Sequence, residues 1–320
     1  MVEGRLSAAR AASRADLRAR RSNATLSAPT SSRLPRASPA NGVEHHLVEH
    51  PGGARGTVVL LHGYLDLARS FEEVIAALGE AGYRVIAPDF RGHGDTGRAP
   101  AGAYYHAMDY VADLDALLDA LALDRVHLVA HSMGGTVATR YAGARPGRVE
   151  TLSLIEGVGP PSMPADVTPD RTAAWLDGLK RARARAPRTM RSLDEVVARM
   201  RVSHPSVSLE TLRVMAARAT RVVDEGALTF RFDPLHMTIS PMRYDAEAFE
   251  AFLPRITCPV LMIDGGGSLA GFPELAERAA RYPNARFVNI PGAGHMVHWT
   301  APEALVSALL AFLGDHSPAG

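Results

Sequence analysis

Short apolar runs alternate with amphipathic segments over most of this 320-residue chain. Each run is rich in branched residues and is closed by glycine, proline or a polar residue. Such runs are typical of strands that are buried on both faces of a sheet. The runs that we interpret as strands cover residues 57–61, 83–87, 126–130, 149–155, 259–263 and 285–290.

The segments between these runs carry apolar residues three and four positions apart, which predicts amphipathic helices. Because strands and helices alternate, the pattern predicts an α/β fold with a parallel sheet and right-handed crossovers. The predicted helices cover residues 70–78, 109–121, 133–144, 273–281 and 304–313.

The alternation is interrupted in the second half of the chain, and this sets the predicted domain organisation. Residues 159–256 show helical patterns without a strong strand, so we predict a helical insertion into a continuous core. That core comprises residues 43–158 and 257–314. Residues 1–42 are rich in alanine, arginine and serine, which is typical of a disordered or targeting-like tail. Residues 315–320 are interpreted as a short C-terminal tail.

Composition narrows the classes of protein that fit. The chain has 47% hydrophobic and 22% charged residues, which favours a globular fold over a disordered chain or a coiled coil. It has no uninterrupted apolar stretch long enough for a transmembrane helix. A formal net charge of +1 gives no overall field that would favour nucleic acid. The single cysteine, Cys258, excludes a disulfide framework and a cysteine-type zinc site.

The strongest chemical signal is the segment AHSMGG, which begins at Ala130. It lies between a predicted strand and a predicted helix, where a sharp turn can present Ser132 as a nucleophile. Such a turn requires small neighbours, and Ala130 and Gly134 meet that requirement. The Met133 backbone N–H, at the helix N-terminus, then points towards a developing oxyanion. The alternative is a serine that only caps the helix.

Four motifs, in this order, resemble those of the α/β-hydrolase superfamily. They are HGY after the strand 57–61, PDFRGHG after the strand 83–87, AHSMGG at the turn, and GAGHM near the C-terminus. The resemblance extends over residues 43–314 and is closest to capped serine hydrolases, including the serine hydrolase-like proteins. It implies a mostly parallel, eight-stranded type of sheet flanked by helices, with the insertion 159–256 as a cap.

The resemblance also implies roles for individual residues. His295 occupies the place of the family's catalytic histidine, and a serine hydroxyl needs such a base near neutral pH. The Tyr64 and Met133 amides correspond to the donors of the oxyanion hole. Candidates for lining the substrate pocket are His62, His131, His298 and Met237. Structural roles for these residues, such as bracing the oxyanion loop or packing under the turn, are the alternative.

The acid of the triad is not at the position that the family commonly uses. The loop after the strand 259–263 reads GGGSLAG and holds no carboxylate, and Asp264 stands before the glycines. Some α/β-hydrolases carry the acid at the end of the preceding strand, where this chain has Glu156. A carboxylate there needs a partner, and a histidine N–H is one. We therefore predict Glu156 as the acid, with a salt bridge to an arginine of the cap as the alternative.

Together these residues predict a serine hydrolase that cleaves a carboxylic ester or related acyl bond through an acyl-enzyme. Acyl transfer, carbon–carbon bond hydrolysis, cofactor-free perhydrolysis and a catalytically inactive binding protein are alternatives on the same fold. No cofactor and no metal are expected. The expected partner is a small ester-like molecule, with no nucleic acid and no membrane span. The expected location is cytoplasmic, with an organellar transit peptide as the alternative, and the oligomeric state is open.

Overall fold

The computed structural model describes residues 36–184, 186, 188–266 and 268–316. Its strands are β1 (Arg36–Ala40), β2 (Val43–His50), β3 (Thr57–Leu61), β4 (Arg84–Pro88), β5 (Val126–His131), β6 (Val149–Ile155), β7 (Thr220–Val222), β8 (Leu228–Phe230), β9 (Val260–Asp264) and β10 (Ala285–Asn289). Within these ranges, eight strands form one sheet in the order β1-β2-β4-β3-β5-β6-β9-β10, while β7 and β8 pair separately.

The α-helices lie on both faces of this sheet or in the segment inserted after β6. They are α1 (Glu72–Glu80), α2 (Ala107–Ala120), α3 (Met133–Ala144), α4 (Thr168–Ala184), α5 (Leu193–Ser203), α6 (Leu209–Ala219), α7 (Ala246–Glu250), α8 (Ser268–Gly271), α9 (Pro273–Ala280), α10 (Val297–Thr300) and α11 (Pro302–Gly314). Among the helices of the described ranges, none combines the length and the apolar character that a bilayer crossing requires.

Six neighbouring strands are mutually parallel, in the order β4, β3, β5, β6, β9 and β10. Strand β2 pairs antiparallel with both β1 and β4. This mostly parallel sheet with flanking helices confirms the fold class predicted from the sequence. In the register of the sheet, Ile155 of β6 lies beside His131 of β5 and Ile263 of β9. Residues that follow these three strands therefore meet at one edge of the sheet.

Alternate residues of the central strands enter two separate hydrophobic cores. In β3, Val59 and Leu61 belong to the core on one face, and Val58 and Leu60 belong to the core on the other. All four side chains are almost completely buried. Complete burial of such a side chain contributes roughly 1.5–3 kcal/mol, which explains the apolar side chains at these four positions of β3.

The sheet begins at Arg36, earlier than the boundary at residue 43 that the sequence analysis predicted. Strand β1 pairs with β2 along its whole length, and Asn41 and Gly42 close the hairpin with φ values of 47° and 70°. These values suit the type of two-residue turn that asparagine followed by glycine favours. The tail prediction is therefore wrong for residues 36–42, and the rest of the predicted tail, residues 1–35, lies outside the described residues.

The segment between β6 and β9 is mostly helical and also contains a strand pair. Strands β7 and β8 form an antiparallel hairpin, with Arg221 opposite Thr229. Met200 and Met215 of this segment pack in a third core together with Trp299 of the main domain. The sequence analysis missed the hairpin because three-residue strands are too short to show a periodic pattern.

The hairpin of β1 and β2 gives a prediction about stability. A chain that begins at residue 43 lacks β1, so the edge of β2 is exposed to solvent. It also lacks the buried side chains of Ser38 and Ala40. We expect its melting temperature to lie roughly 5 °C or more below that of a chain that begins at Arg36. Differential scanning calorimetry of the two chains provides the measurement. Equal melting temperatures would show that β1 adds nothing to the stability of the sheet.

Candidate active site

Ser132 occupies a strained turn between β5 and α3. Its φ and ψ are 50° and −113°, a combination that costs a residue with a side chain of the order of 1–3 kcal/mol. The turn is fixed by backbone hydrogen bonds, because the Ser132 N–H donates to the Ile155 carbonyl over 3.0 Å and its own carbonyl accepts from the Thr136 N–H. The serine hydroxyl is therefore presented at the edge of the sheet where the strands end.

Two glycines at the start of α3 allow this turn to pack closely. A Cβ atom on Gly134 would lie 2.6 Å from the Leu61 carbonyl oxygen, and one on Gly135 would lie 2.6 Å from Gly157. Neither approach leaves room for a methyl group, since the contacts are with backbone. The close packing of α3 against the ends of β3 and β6 thus explains the two glycines that follow Met133 in the sequence.

The structure brings Ser132, His295 and Glu156 together. The Ser132 hydroxyl lies 3.0 Å from His295 Nε2, and Glu156 Oε2 lies 3.4 Å from His295 Nδ1. The second distance is long for a hydrogen bond, as is common in sites without substrate. The Glu156 side chain is 1% exposed, whereas that of His295 is 51% exposed. A buried carboxylate thus faces one nitrogen of an accessible imidazole, and a hydroxyl faces the other.

The glycine-rich loop after β9 holds Glu156 in place. The Gly265 N–H donates to Glu156 Oε1, and the Glu156 N–H donates to the Ile263 carbonyl over 2.9 Å. The Glu156 carboxylate thus accepts the Gly265 amide through Oε1, while Oε2 is the oxygen that faces His295 Nδ1. The loop that commonly carries the acid in related proteins therefore supplies an amide in this chain.

Asp264 has a different set of partners. Its carboxylate accepts hydrogen bonds from the Gly266 N–H over 3.0 Å and the Leu269 N–H over 3.3 Å, and from the Asn289 side chain. None of the hydrogen bonds described for Asp264 goes to His295. Its carboxylate therefore stabilises the loop and the start of α8.

The loop after β3 lies directly against Ser132. A Cβ atom on Gly63 would lie 3.3 Å from the Cβ of Ser132, so the backbone of this loop, one residue before Tyr64, packs against the turn. His62 braces this loop, because its Nε2 accepts from the Phe90 N–H and its Nδ1 donates to the Gly63 carbonyl. The Met133 amide begins α3, where a helix has no internal acceptor for its first N–H groups.

Of the four residues predicted to line the pocket, His131 does so and the other three do not line either cavity that reaches Ser132. His62 and His298 are buried, with 0% and 1% exposure, because they brace a loop and pack against Phe71. Met237 is 65% exposed and lines a groove elsewhere on the inserted segment. The pocket predictions for His62, His298 and Met237 are therefore corrected.

Two mostly apolar cavities meet at Ser132 and His295. The first, of about 450 Å³, lies beside the inserted segment, and the second, of about 650 Å³, lies beside α8 and α9. The sequence did not reveal their lining, because an apolar residue that faces a cavity has the same pattern as one that faces the core. Lining residues include Met200, Met215, Phe230 and Trp299 in the first cavity and Val158, Tyr244, Leu269 and Phe272 in the second.

The comparisons with known proteins agree with this architecture. The chain matches the α/β hydrolase fold family over residues 56–302, and it belongs to that family. It is 29% identical to the serine hydrolase-like protein of Danio rerio over 283 residues. This alignment covers 83% of this chain and 84% of that protein.

Two solved structures are also similar. A hypothetical protein of Pseudomonas aeruginosa PAO1 has a TM-score of 0.79 and 27% identity, over 88% of this chain and 99% of that one. The thioesterase domain from the curacin biosynthetic pathway has a TM-score of 0.74 and 26% identity, over 88% of this chain and 100% of that one.

The contacts of the two carboxylates generate a prediction about the acid. Glu156→Gln removes the charge that faces His295 Nδ1, and we expect it to lower kcat/KM for an ester by at least ~10²-fold. Asp264→Asn is the matched control, because Asp264 ends the neighbouring strand and the hydrogen bonds described for its carboxylate go to the Gly266 and Leu269 amides and to Asn289. We expect it to retain most of the activity in the same assay. The assignment is wrong if the Asp264 variant is the inactive one.

Proposed function

We propose that this protein is a serine hydrolase that cleaves carboxylic esters through an acyl-enzyme. The observation that supports this most directly is the 3.0 Å contact between Ser132 Oγ and His295 Nε2 at a strained turn. A serine hydroxyl is a poor nucleophile near neutral pH unless a base takes its proton as it attacks. The chain belongs to the α/β hydrolase fold family, and the protein of Danio rerio to which it is similar is named a serine hydrolase-like protein, which fits this proposal.

In the proposed reaction, Ser132 Oγ attacks the ester carbonyl while His295 Nε2 takes the hydroxyl proton. The resulting imidazolium is stabilised by Glu156, whose carboxylate accepts the Nδ1–H. His295 then gives its proton to the leaving alcohol, and the carbon–oxygen bond of the ester breaks. Water attacks the acyl-enzyme in the second half of the cycle, and His295 again accepts and returns the proton.

The negative charge of the tetrahedral intermediate needs donors on the opposite side of the carbonyl. The Tyr64 and Met133 amides are our candidates, because Tyr64 follows the loop that contacts Ser132 and Met133 begins α3. Each such donor typically accounts for about 10²–10³ in kcat. The positive end of the α3 dipole adds to this stabilisation.

The two cavities favour a substrate with two sizeable apolar groups, one on each side of the ester. Both cavities contain Tyr64, Ser132 and His295, so a carbonyl at Ser132 can extend one group into each. The similarity to a thioesterase domain fits the same acyl chemistry, because thioesters form the same acyl-enzyme. The half-exposed His295 side chain admits water, which favours hydrolysis over acyl transfer.

The proposed nucleophile gives a direct prediction. Ser132→Ala is expected to lower esterase activity by about 10³-fold or more and to abolish labelling by a fluorophosphonate probe. Ser307→Ala, an exposed serine of α11 far along the chain from the motif, is the control and should keep both activity and labelling. Activity of the Ser132 variant above a tenth of wild type would show that another residue attacks the carbonyl.

The two-cavity arrangement predicts separable effects on the two sides of the ester. Ala219→Phe narrows the first cavity and Leu269→Trp narrows the second. We expect one variant to lose activity on long acyl chains and the other on long alcohol groups, each with kcat/KM for the shortest ester little changed. The measurement is a matrix of p-nitrophenyl and alkyl esters that vary both groups. Loss on the same side in both variants would contradict the arrangement.

A further inference from the structure

Arg140 of α3 is a half-buried arginine in the wall of the second cavity. The hydrogen bond described for its guanidinium runs from Nη1 to the Thr136 carbonyl over 3.2 Å. The guanidinium carbon also lies 4.9 Å from the centroid of the Phe249 ring. No carboxylate in the described part of the chain pairs with this guanidinium. Because a guanidinium has several further N–H donors, Arg140 can bind another acceptor.

A second arginine near the same ring has counter-ions. The Arg278 guanidinium lies 5.9 Å from the Phe249 centroid and is completely buried. It pairs with Glu250 over 3.0 Å and with Glu274 over 2.7 Å. A cation that loses water needs such partners, because desolvation without a counter-ion is costly. Arg140 has lost part of its water without one, and this burial lowers the pKa of Arg140.

The other ionisable side chains near Arg140 do not supply the missing negative charge. Burial raises the pKa of Tyr244 to about 12 and also raises the pKa of Tyr282, so both phenols are neutral near neutral pH. Glu156 and Asp264, which also line the second cavity, accept hydrogen bonds from amides of the loop after β9. The charge of Arg140 is therefore available to an anion in the cavity.

The second cavity follows one side of α3 from the proposed nucleophile to this arginine. Ser132, Met133, Thr136 and Arg140 all line it, and positions four apart lie on one face of a helix. Because Arg140 Nη1 reaches back to the Thr136 carbonyl, the guanidinium lies roughly one to two helical turns from Ser132, about 5–11 Å. A chain of about four to eight bonds spans that distance.

We propose that Arg140 binds a carboxylate at the far end of the substrate, so that the preferred ester carries one anionic end in the second cavity. A planar guanidinium can bind a carboxylate through two parallel hydrogen bonds. A single arginine without a counter-ion matches the single charge of a carboxylate better than the double charge of a phosphate. The substrate class is then a half-ester of a dicarboxylic acid, or an ester of a hydroxy acid whose carboxylate is free.

The kinetic test compares two esters that differ in the end group, monoethyl adipate and ethyl hexanoate. We expect kcat/KM of the wild type to be at least ~10-fold higher for the half-ester, because a hydrogen bond to a charged group is strong. Arg140→Gln should lower this ratio at least ~10-fold, and Arg140→Lys, which keeps the charge, should retain part of it. The ratio cancels any general loss of activity in a variant.

Arg145→Gln is the matched control, because Arg145 is an exposed arginine just after α3 that lines neither cavity. It should keep the wild-type ratio. The position of the site is tested with half-esters of increasing chain length and with acetyl esters of hydroxy acids, which place the carboxylate on the alcohol side. We expect an optimum at about four to eight bonds in one of the two series. A ratio that persists in Arg140→Gln, or falls equally in Arg145→Gln, would overturn the proposal.

The substrate class rests on the proposed function, whereas anion binding at Arg140 does not, so calorimetry tests the binding alone. Monoethyl adipate is titrated into the full chain with Ser132→Ala, and into the same chain with Arg140→Gln added. We expect at least ~10-fold weaker binding in the second protein and weaker binding to the first at high salt. If the wild type hydrolyses neither ester, the proposed function fails, and such a difference in binding still supports the anion site. Equal binding to the two proteins would overturn it.

Discussion

The strained backbone of Ser132 is the constraint on which the rest of the site depends. A residue with a φ of 50° and a ψ of −113° is stable only if its surroundings hold it there. The surroundings do so through the Ser132 N–H bond to β6 and through glycines that let α3 touch the backbone of β3 and of Gly157. The same packing fixes the serine hydroxyl relative to the ends of three strands.

The register of the sheet explains why the acid of such a triad can follow either of two neighbouring strands. The ends of β6 and β9 lie side by side, so a carboxylate after either strand can approach a histidine that arrives from β10. In this chain the loop after β9 approaches the histidine loop closely, and a Cβ atom on Gly265 would lie 1.9 Å from the Gly294 carbonyl oxygen. Glycine at that position fits the contact, and Glu156 then faces His295 from the neighbouring strand.

Much of this arrangement could be predicted from the sequence because it depends on local patterns. Apolar runs gave the central strands, and Glu156 was proposed from the resemblance to α/β-hydrolases that carry the acid after this strand, together with the empty loop after β9. The sequence Asn41-Gly42 is typical of a hairpin turn and could have indicated β1, but the composition of residues 1–42 favoured a tail. The cavity lining had no such signal, because it depends on long-range packing that leaves no spacing in the sequence. His62 and His298 were misassigned for the same reason.

The central claim is that Ser132 carries the acyl group during turnover. The most direct measurement is mass spectrometry of peptides from protein quenched in acid while it turns over a short-chain ester. The account predicts one acyl group per chain, on the peptide that contains Ser132, with more of it retained when attack by water is slowed. An acyl group on any other peptide, or steady ester hydrolysis with no acylated peptide, would contradict the account.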